Sequence, residues 1–183
     1  MRPVIAVLVC AGLLSSAGSA HAAGPWKALE RPLDLPAVDA GAPCPVSAVD
    51  TRTDWREINT FGEGIGRGPV YPGIGPDATL ALRSVGTLWL RSKVFWYVKP
   101  SYRGRVLIRG RRLDANGSLR FGEERLSRQL RIRPGQTVTW DRQPDGSRGR
   151  PSAVRAVAAG CYGVQIDGTS FSRTVIFRVT TAR

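Results

Sequence analysis

Histidine, the side chain that most often carries chemistry at neutral pH, is almost missing from this chain. There is one, His21, alongside three cysteines, Cys10, Cys44 and Cys161, in 183 residues. His21 and Cys10 both fall in a stretch that reads as an export leader. Arg2 supplies its positive end, residues 4–14 an apolar run, and Ala20-His21-Ala22 a small-x-small cleavage site. Cleavage is expected after Ala22 in preference to lipidation of Cys10, because Val9 is a poor residue before an acylated cysteine. The leader 1–22 thus takes the only histidine with it, and leaves Cys44 and Cys161 to pair in an oxidising compartment. A bond between them would close a loop worth about 4.7 kcal/mol by the chain-entropy argument.

Whole classes of chemistry are excluded by that inventory. Without histidine there is no Ser-His-Asp or Cys-His hydrolase, and no histidine-ligated zinc, copper or haem. No Ser-x-x-Lys occurs. Glu123 and Glu124 are adjacent, so on a strand they point to opposite faces and make a poor pair for glycoside hydrolysis. Asp50-x-x-x-Asp54 and Asp141-x-x-x-Asp145 lack the alternating oxygen ligands of a calcium loop. The reading is a non-enzymatic protein with no metal and no cofactor.

Charge is the feature left to explain. Lys and Arg total 27 against 14 Asp and Glu, giving a net charge of +13 and a pI near 11.1. Losing Arg2 with the leader lowers the charge to +12. Residues 101–155 concentrate it, with 14 basic and 5 acidic side chains. Arg105, Arg109, Arg111, Arg112, Arg128, Arg131 and Arg133 lie on or beside three consecutive strand segments, with Arg120 and Arg125 between them. If those strands adjoin, they form an arginine field that attracts an anionic envelope polymer or lipid headgroups. Export argues against chromosomal nucleic acid. Against a specific role, Arg outnumbers Lys 24 to 3, a compositional bias, and charged edges also prevent strand-to-strand aggregation.

Aromatic residues offer an alternative. In residues 93–99, Val94, Trp96 and Val98 share one face and Phe95 and Tyr97 the other. Two apolar faces usually mean burial on both sides. The competing reading is a carbohydrate-binding platform using Trp96, Tyr97 and Tyr71. Tyr71 sits in residues 62–76, which hold six Gly and three Pro. That loop has neither Gly-x-Gly-x-x-Gly nor Gly-Lys-Ser/Thr, so it is no phosphate loop, and it is expected to be irregular.

These groups must be positioned by strands. Residues 23–50 are rich in Ala and Pro and read as an extended arm, and 50–61 as a polar segment with room for a short turn of helix. From 79 onward, short strands recur between turns: 79–85, 87–98, 105–109, 118–121, 126–132, 137–140, 153–157, 161–167 and 171–179. Leu126, Leu130 and Ile132 share a face, and Asp114-Ala-Asn-Gly117 is a tight turn. Asn116-Gly117-Ser118 is also a formal glycosylation sequon. No later segment is a transmembrane helix. The expected fold is all-β, an antiparallel immunoglobulin-like Greek-key β-sandwich over residues 51–183 with the extended N-terminal arm. On the strand at 161, Tyr162, Val164 and Ile166 form the apolar face, which puts Cys161 on the other. The bridge to Cys44 is therefore expected to pin the arm across the outside of a sheet.

The segment from Arg150 through Gly160-Cys161-Tyr162 to Ser172, followed by the apolar strand Thr174-Val-Ile-Phe-Arg-Val179, resembles exported bacterial proteins of uncharacterised function with an immunoglobulin-like sandwich. Tyr97-Val-Lys-Pro-Ser-Tyr-Arg-Gly104, Val106-Leu-Ile-Arg-Gly110 and Gly68-Pro-Val-Tyr71 fit the same pattern. The resemblance implies a fold and a secreted or cell-envelope location, and transfers no activity. Tyr162 follows its cysteine, whereas an immunoglobulin tyrosine corner precedes it by two residues. Binding is the leading reading, sugar binding the second, and a carboxylate hydrolase the third.

Overall fold

The structure, a computed structural model, describes residues 24–58, 62–86, 88–135 and 146–182. The leader, the strand expected at 137–140 and the Asp141/Asp145 pair lie outside them. The described residues form β1 (Glu63–Gly64), β2 (Val70–Ile74), β3 (Thr79–Val85), β4 (Trp89–Val98), β5 (Val106–Arg112), β6 (Arg120–Phe121), β7 (Gln129–Ile132), β8 (Arg148–Ala156), β9 (Gly160–Gly168) and β10 (Ser172–Thr181), with two short 3-10 turns. The chain is all-β. Its strands make one mixed sheet in the order β1-β2-β4-β3-β10-β9-β5-β7, from which β8 branches off β4 and β6 off β8.

The sheet changes course at β3. Residues 79–82 run parallel to the end of β10, whereas 83–85 pair antiparallel with the start of β4. The parallel pairing corrects the purely antiparallel expectation. It joins segments nearly a hundred positions apart, and no local pattern announces such a contact. Leu80 and Leu82 turn inward there, and one core takes Trp96 from β4, Val154 from β8, Ile108 from β5, Val164 from β9 and Phe177 from β10. Burying each such side chain contributes about 1.5–3 kcal/mol.

Residues 62–76 are also a correction. They contain β1 and β2, and every residue of β2 is buried. Pairing with β4 (Val70↔Val98 to Gly73↔Phe95) overrides the punctuation by Gly and Pro. Glycine is needed at 64, where a Cβ would collide with the Trp55 ring. Residues 51–58 form turns without helix, and Leu126 is 40% exposed, outside the core that Leu130 and Ile132 enter.

The N-terminal arm crosses the outer face of β10-β9-β5. The Cys44–Cys161 disulfide fastens it, with Cα atoms 5.4 Å apart. Cys161 packs with Leu35 and Leu113 in a small cluster separate from the main core, as its strand parity requires. Further along the arm, Ser47 exchanges two hydrogen bonds with the backbone of Ile176, on the stretch of β10 that β3 does not cover.

Candidate functional site

The arginine field separates into groups with different duties. Arg109 and Arg111 project from β5 beneath the arm. Arg109 donates to the Asp167 carboxylate (2.8 Å) and to the carbonyl of Arg31, and Arg111 donates to the carbonyl of Leu35 (2.9 Å). Arg112 pairs with Asp114 at 2.6 Å, which holds that carboxyl below its usual range and raises the guanidinium further. Arg105 is half-buried and its carbonyl accepts the Tyr102 hydroxyl. The guanidiniums of Arg109, Arg111 and Arg112 therefore serve the arm and a turn. The reason is that β5 lies inside the sheet, with β9 and β7 on its two sides and the arm across its outer face.

The aromatic candidates are buried as well. Tyr71 and Trp96 are 1% exposed and Tyr97 2%, so none offers a ring face for stacking on sugar. Trp96 meets Phe121 in the core, while Trp55 stands edge-on to Tyr71 and Tyr97 at 5.2 and 5.5 Å on the other side of β4. The strand's two apolar faces are thus both covered, one by the core and one by the 49–58 loop.

Asp50 anchors that loop. Its carboxylate accepts from Thr53 Oγ1 at 2.7 Å and Arg52 Nε at 3.0 Å, and faces Lys99 Nζ at 3.4 Å. Those bonds occupy the Asp50 carboxylate with protein donors. Burial pushes the Asp50 pKa up, but the bonds from Thr53 and Arg52 and the charge of Lys99 outweigh it and hold the group well below the carboxylate range. A depressed carboxylate contributes stability that is present above its unfolded pKa and lost as pH falls through the folded value. Wild-type stability should therefore decline below about pH 4. Asp50→Asn should be the less stable protein at pH 7, and the gap should close in acid. Urea titrations across that range check this, and a gap independent of pH would remove the charge from the argument.

Arg131 and Arg133 form the remaining part of the field, and Arg125 and Arg150 join them. With Trp26, Gly122, Ser127 and Gln129 they line a cleft of about 680 Å³ between the outer edge of β7 and the β6–β8 edge. Among the described residues its lining holds four arginines and no acidic side chain. Leu130 and Ile132 point into the core, which turns Gln129, Arg131 and Arg133 outward. Arg150 and Arg148 project from β8 across the gap and donate to the Arg131 and Arg133 carbonyls (2.7 and 2.6 Å), capping the edge of β7. Burial, and for Arg150 the nearby charge of Arg133, lowers both guanidinium pKa values. Arg131 stacks over Trp26 at 5.2 Å. Arg128 lies apart, beside Leu33 and Arg120.

Arg125 belongs to the field read from the sequence, whereas Arg150 and Trp26 were not singled out there. Arg148 and Arg150 alternate at the head of a strand that was expected to begin only at 153, and that spacing was the signal available. Among the described residues no cluster of His, Cys, Asp and Glu has the makings of a metal site, and no helix is long and apolar enough to cross a membrane. Comparison with protein families, with curated proteins and with solved structures finds no match to the chain.

Proposed function

We propose that this is an exported, non-enzymatic binding module of immunoglobulin-like topology that takes an anionic cell-envelope polymer in the arginine cleft. The observation that carries the reading is the cleft itself: four guanidiniums converge on a groove that, among the described residues, has no carboxylate in its lining. Arg131 and Arg150 are occupied by a ring and a backbone carbonyl, neither of which neutralises charge. A groove between two strand edges suits an extended chain better than a flat surface.

The topology supports the fold reading. The order β3-β10-β9-β5-β7 parallels A′-G-F-C-C′ of a variable-type immunoglobulin domain, and β2-β4-β8 parallels A-B-E, while β6, which precedes β7 in the chain, takes the edge beside β8 out of the immunoglobulin chain order. Export rests on the leader and on a disulfide that an oxidising compartment maintains.

Co-sedimentation with purified cell-wall material at rising salt tests the proposal. Arg125→Glu/Arg131→Glu should bind at least tenfold more weakly. Counterion release gives about 0.7 in the log–log salt slope for each charge neutralised on a flexible polyanion, so the double variant should flatten the slope by at least about 1.4. Wild-type affinity in that variant would remove the cleft from the function.

A further inference from the structure

The outer face of the β3-β4-β8-β6 edge carries a second basic feature that register alone creates. Arg83 pairs directly with Arg91, Arg91 with Arg155, and Arg155 with Arg120. Four arginines thus stand in one cross-strand row. At a strand spacing of about 4.8 Å the row is roughly 14 Å long. Like charges directly opposite one another destabilise a sheet. Among the described residues one carboxylate answers them: Glu123 pairs with Arg91, and Arg155 donates to the Glu123 carbonyl at 2.6 Å. Among the described residues no carboxylate pairs with Arg83, Arg120 or Arg155.

Beside this row the sheet ends in exposed apolar side chains. Leu88 is 73% exposed at the β3–β4 connection, and Val85, which pairs with Trp89, is 37% exposed. Val157, 45% exposed, follows Ala156, the partner of Leu90. Alternation puts Val85 and Trp89 on the same face as Arg83 and Arg91. A soluble sheet gains nothing by exposing Leu and Val next to unbalanced charge. Both features fit a surface that is anionic at its polar layer and apolar beneath it.

We propose that this edge docks on an anionic lipid surface. Leu88 and Val85 enter the boundary of the acyl chains, Trp89 sits at headgroup level, and the arginine row lies against the phosphates. The row lies on the outer face of four adjacent strands, where a bilayer can reach it, whereas the cleft beneath Arg150 is recessed. The two sites are separate, so docking here does not depend on the polymer reading.

Sedimentation of the protein with vesicles of phosphatidylglycerol and phosphatidylcholine, against pure phosphatidylcholine, is the test. Binding to the anionic vesicles alone is expected, with a blue shift in tryptophan emission that Trp89→Phe abolishes. Leu88→Asp and, independently, Arg83→Glu should each weaken vesicle binding at least tenfold and leave wall co-sedimentation unchanged. Arg125→Glu/Arg131→Glu should do the reverse. Failure of the wild-type protein to bind anionic vesicles overturns the proposal. So does wild-type vesicle binding by both Leu88→Asp and Arg83→Glu, or loss of polymer binding without loss of vesicle binding in Arg83→Glu.

Discussion

Asp167→Ala is expected to cost about 3–5 kcal/mol, more than any change in the cleft, because it strips a buried charge of its partner. Asp167 is fully buried on the outer face of β9. Its carboxylate takes Arg31 at 3.2 Å, Arg109 at 2.8 Å, Ser172 at 2.7 Å and the Gln165 amide at 3.0–3.1 Å. The same amide donates to the Pro32 carbonyl and its oxygen accepts from the Asp34 backbone, so one network ties the sheet to the arm. Arg109 has only 18% of its side chain exposed and its Nε already lacks a partner. Without Asp167 its charge is left beneath the arm with carbonyl contacts only. Arg31 is 36% exposed and can turn to water, so Arg31→Ala should cost about 1 kcal/mol or less. Urea denaturation of the two single variants separates these cases. A double-mutant cycle on Asp167 and Arg109 should give a coupling of about 0.5–3 kcal/mol. If Asp167→Ala were no worse than Arg31→Ala, the network would be ornament.

The contrast between Asp167 and the arginine row shows what a sequence of this kind can disclose. Parity along a single strand is local information. It put Cys161 opposite Tyr162, Val164 and Ile166, and it required two covered faces for Trp96 and Tyr97. Partnership between strands is not local. Arg83, Arg91, Arg155 and Arg120 come from four strands, and only the register of those strands reveals that they stand in a row. The arginine field showed the same limit. Arg109, Arg111 and Arg131 look alike as residues, and differ because Asp167 and the arm's carbonyls take up the first two, whereas the arm offers the third only the Trp26 ring. β2 was hidden for another reason: its Gly and Pro speak against a strand, and the β4 pairing that overrides them is a tertiary fact. The all-β class and most strand positions needed only alternation and turns. The site needed the fold.

Removing the disulfide should give the other large effect, and its form matters more than its size. The bridge joins positions 117 apart, so cutting it returns about 4.7 kcal/mol of loop entropy to the unfolded chain. At about 2–4 °C per kcal/mol for a chain of this length, Cys44→Ser/Cys161→Ala should melt roughly 10–18 °C lower. The main core would survive at ordinary temperature, because Cys161 packs in a cluster of its own with Leu35 and Leu113. The arm would not stay so firmly in place. Trypsin should therefore cut after Lys27 in the variant well before the strands are attacked, whereas the oxidised protein resists there. Equal resistance, with a melting point lowered by only a degree or two, would show that the Asp167 network and Ser47 hold the arm unaided. Loosening also reaches the cleft. Trp26 lies on the arm and contributes its ring to Arg131, so the variant should lose a few-fold in polymer affinity while its vesicle binding, which depends on β3 and β4, is unchanged. That asymmetry ties the staple to one of the two surfaces.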